Sequence, residues 1–420
     1  MSFQQGLSGL NATSKHLEVI GNNIANASTY GAKVARAEFG DMFAASLSAG
    51  DANQIGIGAT LAAVSQQFTQ GNITATSNPM DLALNGQGFF QLSDGSGPPT
   101  YTRNGQFKID RDGFIVSNSG MKLMGYPASG NGIIVPGQAG PIQLPTAGIA
   151  PQGSTEVIMG GFLNSEEAVT IPAAVPFLST TNADTYNRAT SQTVFDSKGQ
   201  EVTVVYYFQK TAQAEWNVYA TANGEFINGT AADPQPITTL QFDPNGGSLL
   251  APVGPVSINV PGTTSPQGVQ TNPIAGLAVD FSGMEEYGGL WGITDLRQNG
   301  YSAGQLSSIA IEANGVVMAR YSNGQSQAAG QVEIATFRNP QGLRQLGDNQ
   351  WAMSYASGDP VVGVPGDGNL GVIQSGALEE SNVDLTGELV SMITAQRTYQ
   401  ANAQSIKTMD QVMQTLVNLR

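Results

Sequence analysis

The chain has 420 residues, a formal charge of −15, 12% charged residues, one histidine and no cysteine. The acidic balance argues against nucleic acid or an anionic membrane as a partner, because both require a Lys/Arg surface. The absence of cysteine excludes disulfide frameworks, thiolate metal sites and a cysteine nucleophile, while the length allows two to four domains with a real core.

The opening residues, MSFQQGLSGLNATSK, lack a basic start followed by an apolar core, so no cleaved signal peptide is expected. The chain is then cytoplasmic, or exported with its N-terminus intact. No apolar run approaches the ~18 residues of a membrane span, and no membrane insertion is expected. Phe3, Leu7, Leu10, Leu17, Ile20 and Ile24 recur three, four or seven apart, which is one stripe of an amphipathic helix. The next stretch, IGNNIANASTYG (20–31), is rich in residues that favour caps and turns: Gly21, Asn22, Asn23, Asn26 and Gly31. They are expected to end the helix just after Ile24.

Between the ends the chain reads as β. Residues 100–126 carry Asn104-Gly105 and Asp112-Gly113, and residues 308–325 carry Asn314-Gly315 and Asn323-Gly324, all hairpin signals. EVTVVYYFQK (201–210) and QVEIATF (331–337) are further strands. The Pro/Gly-rich stretch 140–154 marks a domain boundary, with a return boundary expected near Gly283.

Residues 388–420 contain neither Gly nor Pro and predict a helix roughly 50 Å long. Its stripe alternates four and three through Leu385, Leu389, Met392, Gln396, Tyr399, Ala403, Ile406, Asp410, Met413 and Val417, the 3.5 repeat of a coiled-coil seam. From Ile406 a second stripe runs through Met409, Val412, Leu416 and Leu419, so this helix needs two neighbours. Asp384 is the expected N-cap, with Glu388 in the first turn.

Catalytic chemistry is hard to find. His16 stands alone in the N-terminal helix, and zinc spacing is impossible with one His and no Cys. DRDG (110–113) imitates a calcium loop, but the twelfth position is Met121 where a bidentate Glu is needed. NGQGFF (85–90) has no following helix to make a phosphate cradle. The acid pairs Glu166-Glu167, Glu285-Glu286 and Glu379-Glu380 read as solvated surface. No enzyme, cofactor or metal is expected.

LSGLNATSKHLEVIGNNIANASTYGAKV (7–34) and GALEESNVDLTGELVSMITAQRTYQANAQSIKTMDQVMQTLVNLR (376–420) resemble the ends of the bacterial flagellar rod and hook (axial) protein family. GQGFF (86–90), YTRNGQFKID (101–110), LMGYPASG (123–130), DTYNRATSQTVFDSKGQ (184–200) and LWGITDLRQNGYSAGQL (290–306) extend the resemblance to the family's hook proteins over nearly the whole chain.

The resemblance implies a multidomain α+β fold, with a discontinuous helical coiled-coil inner domain from both termini plus two β-rich, barrel- or sandwich-like outer domains. Carried onto this sequence, the inner domain takes 1–25 and 382–420 and the linking region 26–70 and 358–381. The middle β domain takes 71–144 and 284–357, and the outer β domain 145–283.

The implied function is a self-assembling subunit of a curved tubular polymer, a universal joint that carries torque from rod to filament. Implied partners are further copies, the distal rod protein, the hook cap protein, the hook–filament junction protein, and the type III export apparatus with its hook-length ruler. The implied location is extracellular, on the flagellum. A rod or junction protein is the alternative within the family, and the 145–283 insertion speaks against a rod protein. An extracellular carbohydrate-active enzyme is the rival from another class and needs two facing carboxylates.

The expected assembly interface comprises the N-terminal stripe, Asn22, Asn23 and Asn26, and Leu385, Leu389, Met392, Tyr399, Ala403, Ile406, Met409, Val412, Met413, Leu416, Val417 and Leu419. The amides either cap the first helix or bond the backbone of a neighbouring copy. One seam is too weak to offset the ordering of such long ends, so both are expected to order on docking.

Overall fold

The periodic segments at the two ends form α1, Ser2–Ala25, and α2, Leu385–Asn418, in a computed structural model that describes residues 2–42, 56, 58–137, 139–170, 178–265 and 268–418. Asp384 caps α2 as expected: its Oδ1 accepts the Thr386 N–H at 3.0 Å and its carbonyl the Glu388 N–H at 2.9 Å. The fold is mostly β with a helix at each end. The chain divides into unit 1, Met1–Thr146 with Ser308–Arg320 and Ser326–Arg420, and unit 2, Ala147–Ser307 with Tyr321–Gln325.

In unit 1 the chain leaves α1 through an antiparallel pair, β1 (Ala35–Met42) and β2 (Gly58–Gln66), bulged at Glu38/Phe39. His16 of α1 meets the Phe39 ring edge-on at 6.0 Å, so the lone histidine is a packing residue. Beyond β2 an antiparallel sheet combines early and late sequence. Phe89–Ser93 pairs with Ile334–Thr336, Thr100–Thr102 with Gln350–Ala352, and Lys122–Pro127 with Ser326–Val332. The neighbours Phe89 and Phe90 point to opposite faces, as alternation along a strand requires. Phe90 joins Leu82, Leu92, Phe107 and Ile334 in one core, and Phe89 joins Tyr101, Phe337 and Trp351 in another. The sheet is therefore packed on both faces at this strand.

Three of the four hairpin signals form turns between paired strands: Asp112-Gly113, Asn314-Gly315 and Asn323-Gly324. Asn104-Gly105 does not, because Thr100–Thr102 and Phe107–Ile109 pair with other strands. Gly105 is there for space. A Cβ on it would lie 1.6 Å from the Leu82 carbonyl oxygen, to whose residue it is also bonded through Leu82 N–H.

The core of unit 2 lies between two larger sheets, a sandwich-like arrangement. Arg188–Phe195, Glu201–Ala212, Glu215–Ala222 and Thr238–Phe242 form an antiparallel meander. In the other sheet Glu156–Asn164 runs parallel to Ile274–Tyr287 and antiparallel to Gly292–Gln298. Val204, Phe208 and Trp216 of the first pack with Met159, Phe281 and Met284 of the second.

The sequence reading places a return boundary near Gly283; Gly283 lies inside the strand Ile274–Tyr287, and unit 2 continues to Ser307. Gly283 serves a close cross-strand approach, since a Cβ on it would come 3.1 Å from Gly160 Cα.

Glu333 of unit 1, between Ser326–Val332 and Ile334–Thr336, is buried, and its Oε1 has no hydrogen-bond partner among the described residues. Burial pushes its carboxyl up to about 7. Burial, and then the Glu333 charge, push the Tyr101 phenol up to about 12. The folded carboxyl keeps its proton to about pH 7, whereas the unfolded one releases it in the ordinary range near 4.5. This contribution to stability is full below that range and is lost as pH rises through about 7. Urea midpoints of unit 1 should accordingly fall between pH 5 and pH 8. Glu333→Gln should flatten the dependence, and an unchanged slope in that variant would assign it to other groups.

Candidate assembly interface

α1 and α2 lie antiparallel: Gly6 faces Ile406, Gly9 faces Asn402, and Asn23 reaches Glu388. The glycines permit the approach. A Cβ on Gly6 would sit 3.0 Å from Ile406 Cγ1, and one on Gly9 would sit 2.9 Å from Asn402 Nδ2. The least exposed described side chains of α2 are Glu388, Met392, Ala395, Asn402, Ala403, Ile406 and Met409. The 3.5 repeat is present, but the packed face is rotated by about one residue from the expected seam, centring on 388, 395, 402 and 409.

Met392, Ala403, Ile406 and Met409 of the expected interface are half-buried on that face. Leu385, Leu389, Tyr399, Val412, Met413 and Val417 are exposed, with Leu389 at 45%, Met413 at 62% and Val417 at 71%. On α1, Ile20 is buried, Leu10, Leu17 and Ile24 are half-buried, and Phe3 and Leu7 are exposed. Leu419 and the side chain of Leu416 lie outside the described residues.

The amides on either side of Ile24 act within the chain. The Asn26 N–H and Nδ2 both donate to the Asn22 carbonyl, at 3.1 and 2.9 Å, which closes the end of α1. Asn22 is exposed and Asn26 half-buried. Asn23 is only 3% exposed: its Oδ1 accepts the Ala35 N–H at 2.9 Å, and its Nδ2 donates to the Ala35 carbonyl at 2.8 Å and to Glu388 Oε1 at 3.0 Å. One side chain therefore links α1, β1 and the first turn of α2, and its polar atoms are engaged within the chain.

Just beyond lies a buried ion cluster. Lys33 Nζ donates to Glu379 Oε1 at 2.6 Å and to the Thr69 carbonyl at 2.7 Å, and Arg103 Nη1 donates to Glu379 Oε2 at 3.1 Å. The Gly71 N–H adds a bond to Glu379 Oε1 at 2.9 Å, and Arg103 Nη2 donates to the Gly86 carbonyl at 2.8 Å. Side-chain exposure is 0% for Lys33 and Glu379 and 5% for Arg103. Burial pushes the Lys33 ammonium and the Arg103 guanidinium below their ordinary values, while the Glu379 carboxylate opposes both shifts. Asn382 extends the junction: its Oδ1 accepts the Val34 N–H at 2.8 Å and its Nδ2 donates to the Gln67 carbonyl at 2.8 Å.

The reading of Glu379-Glu380 as solvated surface is thus corrected at Glu379. Glu285-Glu286 is corrected at Glu286, which is buried and accepts from Trp216 Nε1 at 3.0 Å. A charge among small and apolar neighbours was the available signal: Lys33 stands between Ala32 and Val34, and Glu379 follows Ala377 and Leu378. Asp110 and Asp196 hold turns by accepting backbone N–H groups two and four residues on.

Gly31 keeps the junction closed. Its φ is +71°, its N–H donates to the Glu379 carbonyl at 2.8 Å, and a Cβ would fall 2.5 Å from Asn104 N. Gly31→Ala should destabilise unit 1 by at least about 2 kcal/mol, from backbone strain and overlap together. Urea unfolding checks this, and a loss under about 0.5 kcal/mol would mean that the turn can relax.

Family models match along the chain: the flagella basal body rod protein model at 3–33, the flagellar hook protein FlgE/F/G D1 domain at 83–157, the flagellar basal body protein FlaE D2 domain at 163–301, and the flagellar basal body rod FlgEFG protein C-terminal model at 374–419. Over 422 residues, covering all of both chains, the sequence is 43% identical to the flagellar hook protein FlgE of Salmonella typhimurium. The chain belongs to the flagellar hook protein family.

The Escherichia coli hook protein FlgE is 42% identical over 430 residues, again covering both chains. The crystal structure of the Helicobacter pylori flagellar hook protein FlgE2 matches 73% of this chain and 100% of its own, with TM-score 0.54 at 15% identity, a likeness of fold. In hook-family terms the ion cluster draws on three matched segments: Lys33 from the N-terminal one, Arg103 from the D1 domain and Glu379 from the C-terminal one. Among the described residues no group of three or more acidic or His side chains is placed to hold a metal, and no helix is long and apolar enough to cross a membrane.

Proposed function

We propose that this chain is a structural, non-catalytic subunit of the bacterial flagellar hook, adding copies of itself into a flexible curved tube that carries torque from rod to filament. One observation carries the reading: α2 runs for 34 residues, yet Ala395 is its only buried described side chain, while Leu385, Leu389, Val390, Ile393, Tyr399, Val412, Met413 and Val417 stay exposed. A helix this long gains its stability from packing rather than propensity, so its apolar surface calls for other copies. Heterologous contacts that do not close into a ring generate a helical filament.

In this reading 1–25 and 382–420 form the inner helical domain and the buried junction belongs to the linking region 26–70 and 358–381. The residues of the expected interface that remain exposed are the ones that meet neighbours. The subunit leaves the cell through the flagellar type III apparatus, under a hook-length ruler. It assembles outside the cell beneath the hook cap, between the distal rod and the hook–filament junction proteins.

Electron microscopy of the purified protein is the direct test, with curved tubes of uniform diameter as the expected result. A permanent monomer that hydrolyses glycans would move the assignment to a carbohydrate-active enzyme. Amide exchange adds a second check: 385–417 should exchange rapidly in dilute monomer and become protected on assembly. Strong protection in the monomer would show that α2 needs no neighbour.

A further inference from the structure

The late segment of unit 1 holds an aromatic side chain clear of its own chain. Tyr355, in the loop Met353–Gly358, is fully exposed at 104%. The loop beneath it is tied down. The Ser354 N–H donates to Ser357 Oγ and Ser357 Oγ to the Ser354 carbonyl, both at 2.9 Å, and Ser354 Oγ donates to the Gly342 carbonyl. Asn339 Nδ2 donates to the Ala356 carbonyl at 3.1 Å, and Ser357 is buried. A tyrosine on a pre-ordered loop loses little entropy on docking, which is the character of an interface anchor.

Unit 1 also carries a recess of about 560 Å³. Amides and hydroxyls line it, among them Asn26, Thr29, Asn104, Asn118 and Asn349, with Tyr30 beside them and Asp348 as its one charged lining residue. Its hairpin wall is set by Asp348 and Asn349, both at positive φ, and Asn349 Nδ2 donates to the Tyr30 carbonyl at 3.0 Å. Such a lining suits a phenol and the exposed backbone of a loop.

Charge points to the occupant. Copies with a formal charge of −15 repel one another, so their contacts favour patches of little charge, and Asp348 is the single charged residue of the recess lining. Residues 351–358 carry no charge at all. Loop and recess share no residue, so a contact between them is heterologous and can repeat without closing.

We propose that Tyr355 docks into the amide-lined recess of a second copy of this chain. The proposal rests on the reading of the chain as a self-assembling hook subunit. The test uses the full chain with Tyr355→Ala, with Leu290→Ala as a control for removal of another exposed side chain. Near-ultraviolet circular dichroism of each monomer confirms folding. Tyr355→Ala should raise the critical concentration for tube growth about tenfold, as loss of an interface anchor does, and Leu290→Ala should leave it unchanged.

In tubes grown with p-benzoylphenylalanine at position 355, the photo-crosslink should map to peptides containing 26–30, 102–119 or 348–350 of another copy. An unchanged critical concentration, or crosslinks only elsewhere, overturns the docking. If wild-type chains form no tubes under any condition, the hook reading itself fails and the docking with it.

Discussion

Glu379→Ala is expected to lower the stability of unit 1 by about 3–5 kcal/mol and to leave unit 2 unchanged. The carboxylate is the shared partner of two cations that are almost wholly buried, and it also accepts the Gly71 N–H. Without it Lys33 can shed its proton, but Arg103 stays charged and buried. The size of the loss therefore comes mainly from the stranded guanidinium and from the desolvated Gly71 N–H. Replacing all three by apolar residues, Lys33→Met with Arg103→Met and Glu379→Leu, should recover much of the loss, because no charge is then left unpaired.

Hydrogen exchange resolved by peptide separates the units. Protection should fall around 33–35, 82–86, 101–103 and 377–379, and persist in the strands of unit 2. A loss below about 1 kcal/mol would show that water reaches the cluster and that its burial is not what holds the junction.

Leu389→Asp and Met413→Asp should each abolish tube growth at concentrations at least about 100-fold above the wild-type critical value while both units stay folded. Both side chains are exposed in the single chain, at 45% and 62%, so a carboxylate there meets water and is tolerated. In a tube built on the exposed stripe of α2 the same carboxylate is buried without a partner, and an unpaired buried charge costs several kcal/mol per subunit.

Ile406→Asp distinguishes this from simple damage to the helix. Ile406 packs against Gly6 of α1, so its replacement should loosen the helix pair already in the monomer. Tubes at the wild-type concentration with either exposed-face variant would assign that face of α2 to solvent.

Several features were legible in the sequence because they are encoded within a few neighbouring residues. The extent of both helices follows from apolar spacing, the start of α2 from Asp384, and the end of α1 from the amides on either side of Ile24. Three of four Asn-Gly and Asp-Gly pairs turn where expected. Asn104-Gly105 shows the limit of such signals: the same dipeptide also meets a need for space beside Leu82, and nothing local separates the two uses.

The sequence by itself determined the helical ends, the β character between them, the poverty of catalytic side chains and the likeness to axial proteins. Only the tertiary structure decided which face of α2 packs, that Asn23 is spent inside the chain, that Glu379 and Glu286 are buried, and that unit 2 extends to Ser307. The physical reason is separation along the chain. Burial and charge pairing depend on partners such as Lys33 and Glu379, 346 residues apart, or Arg103 and Glu379, 276 apart, whereas periodicity and turn chemistry act over a handful of positions.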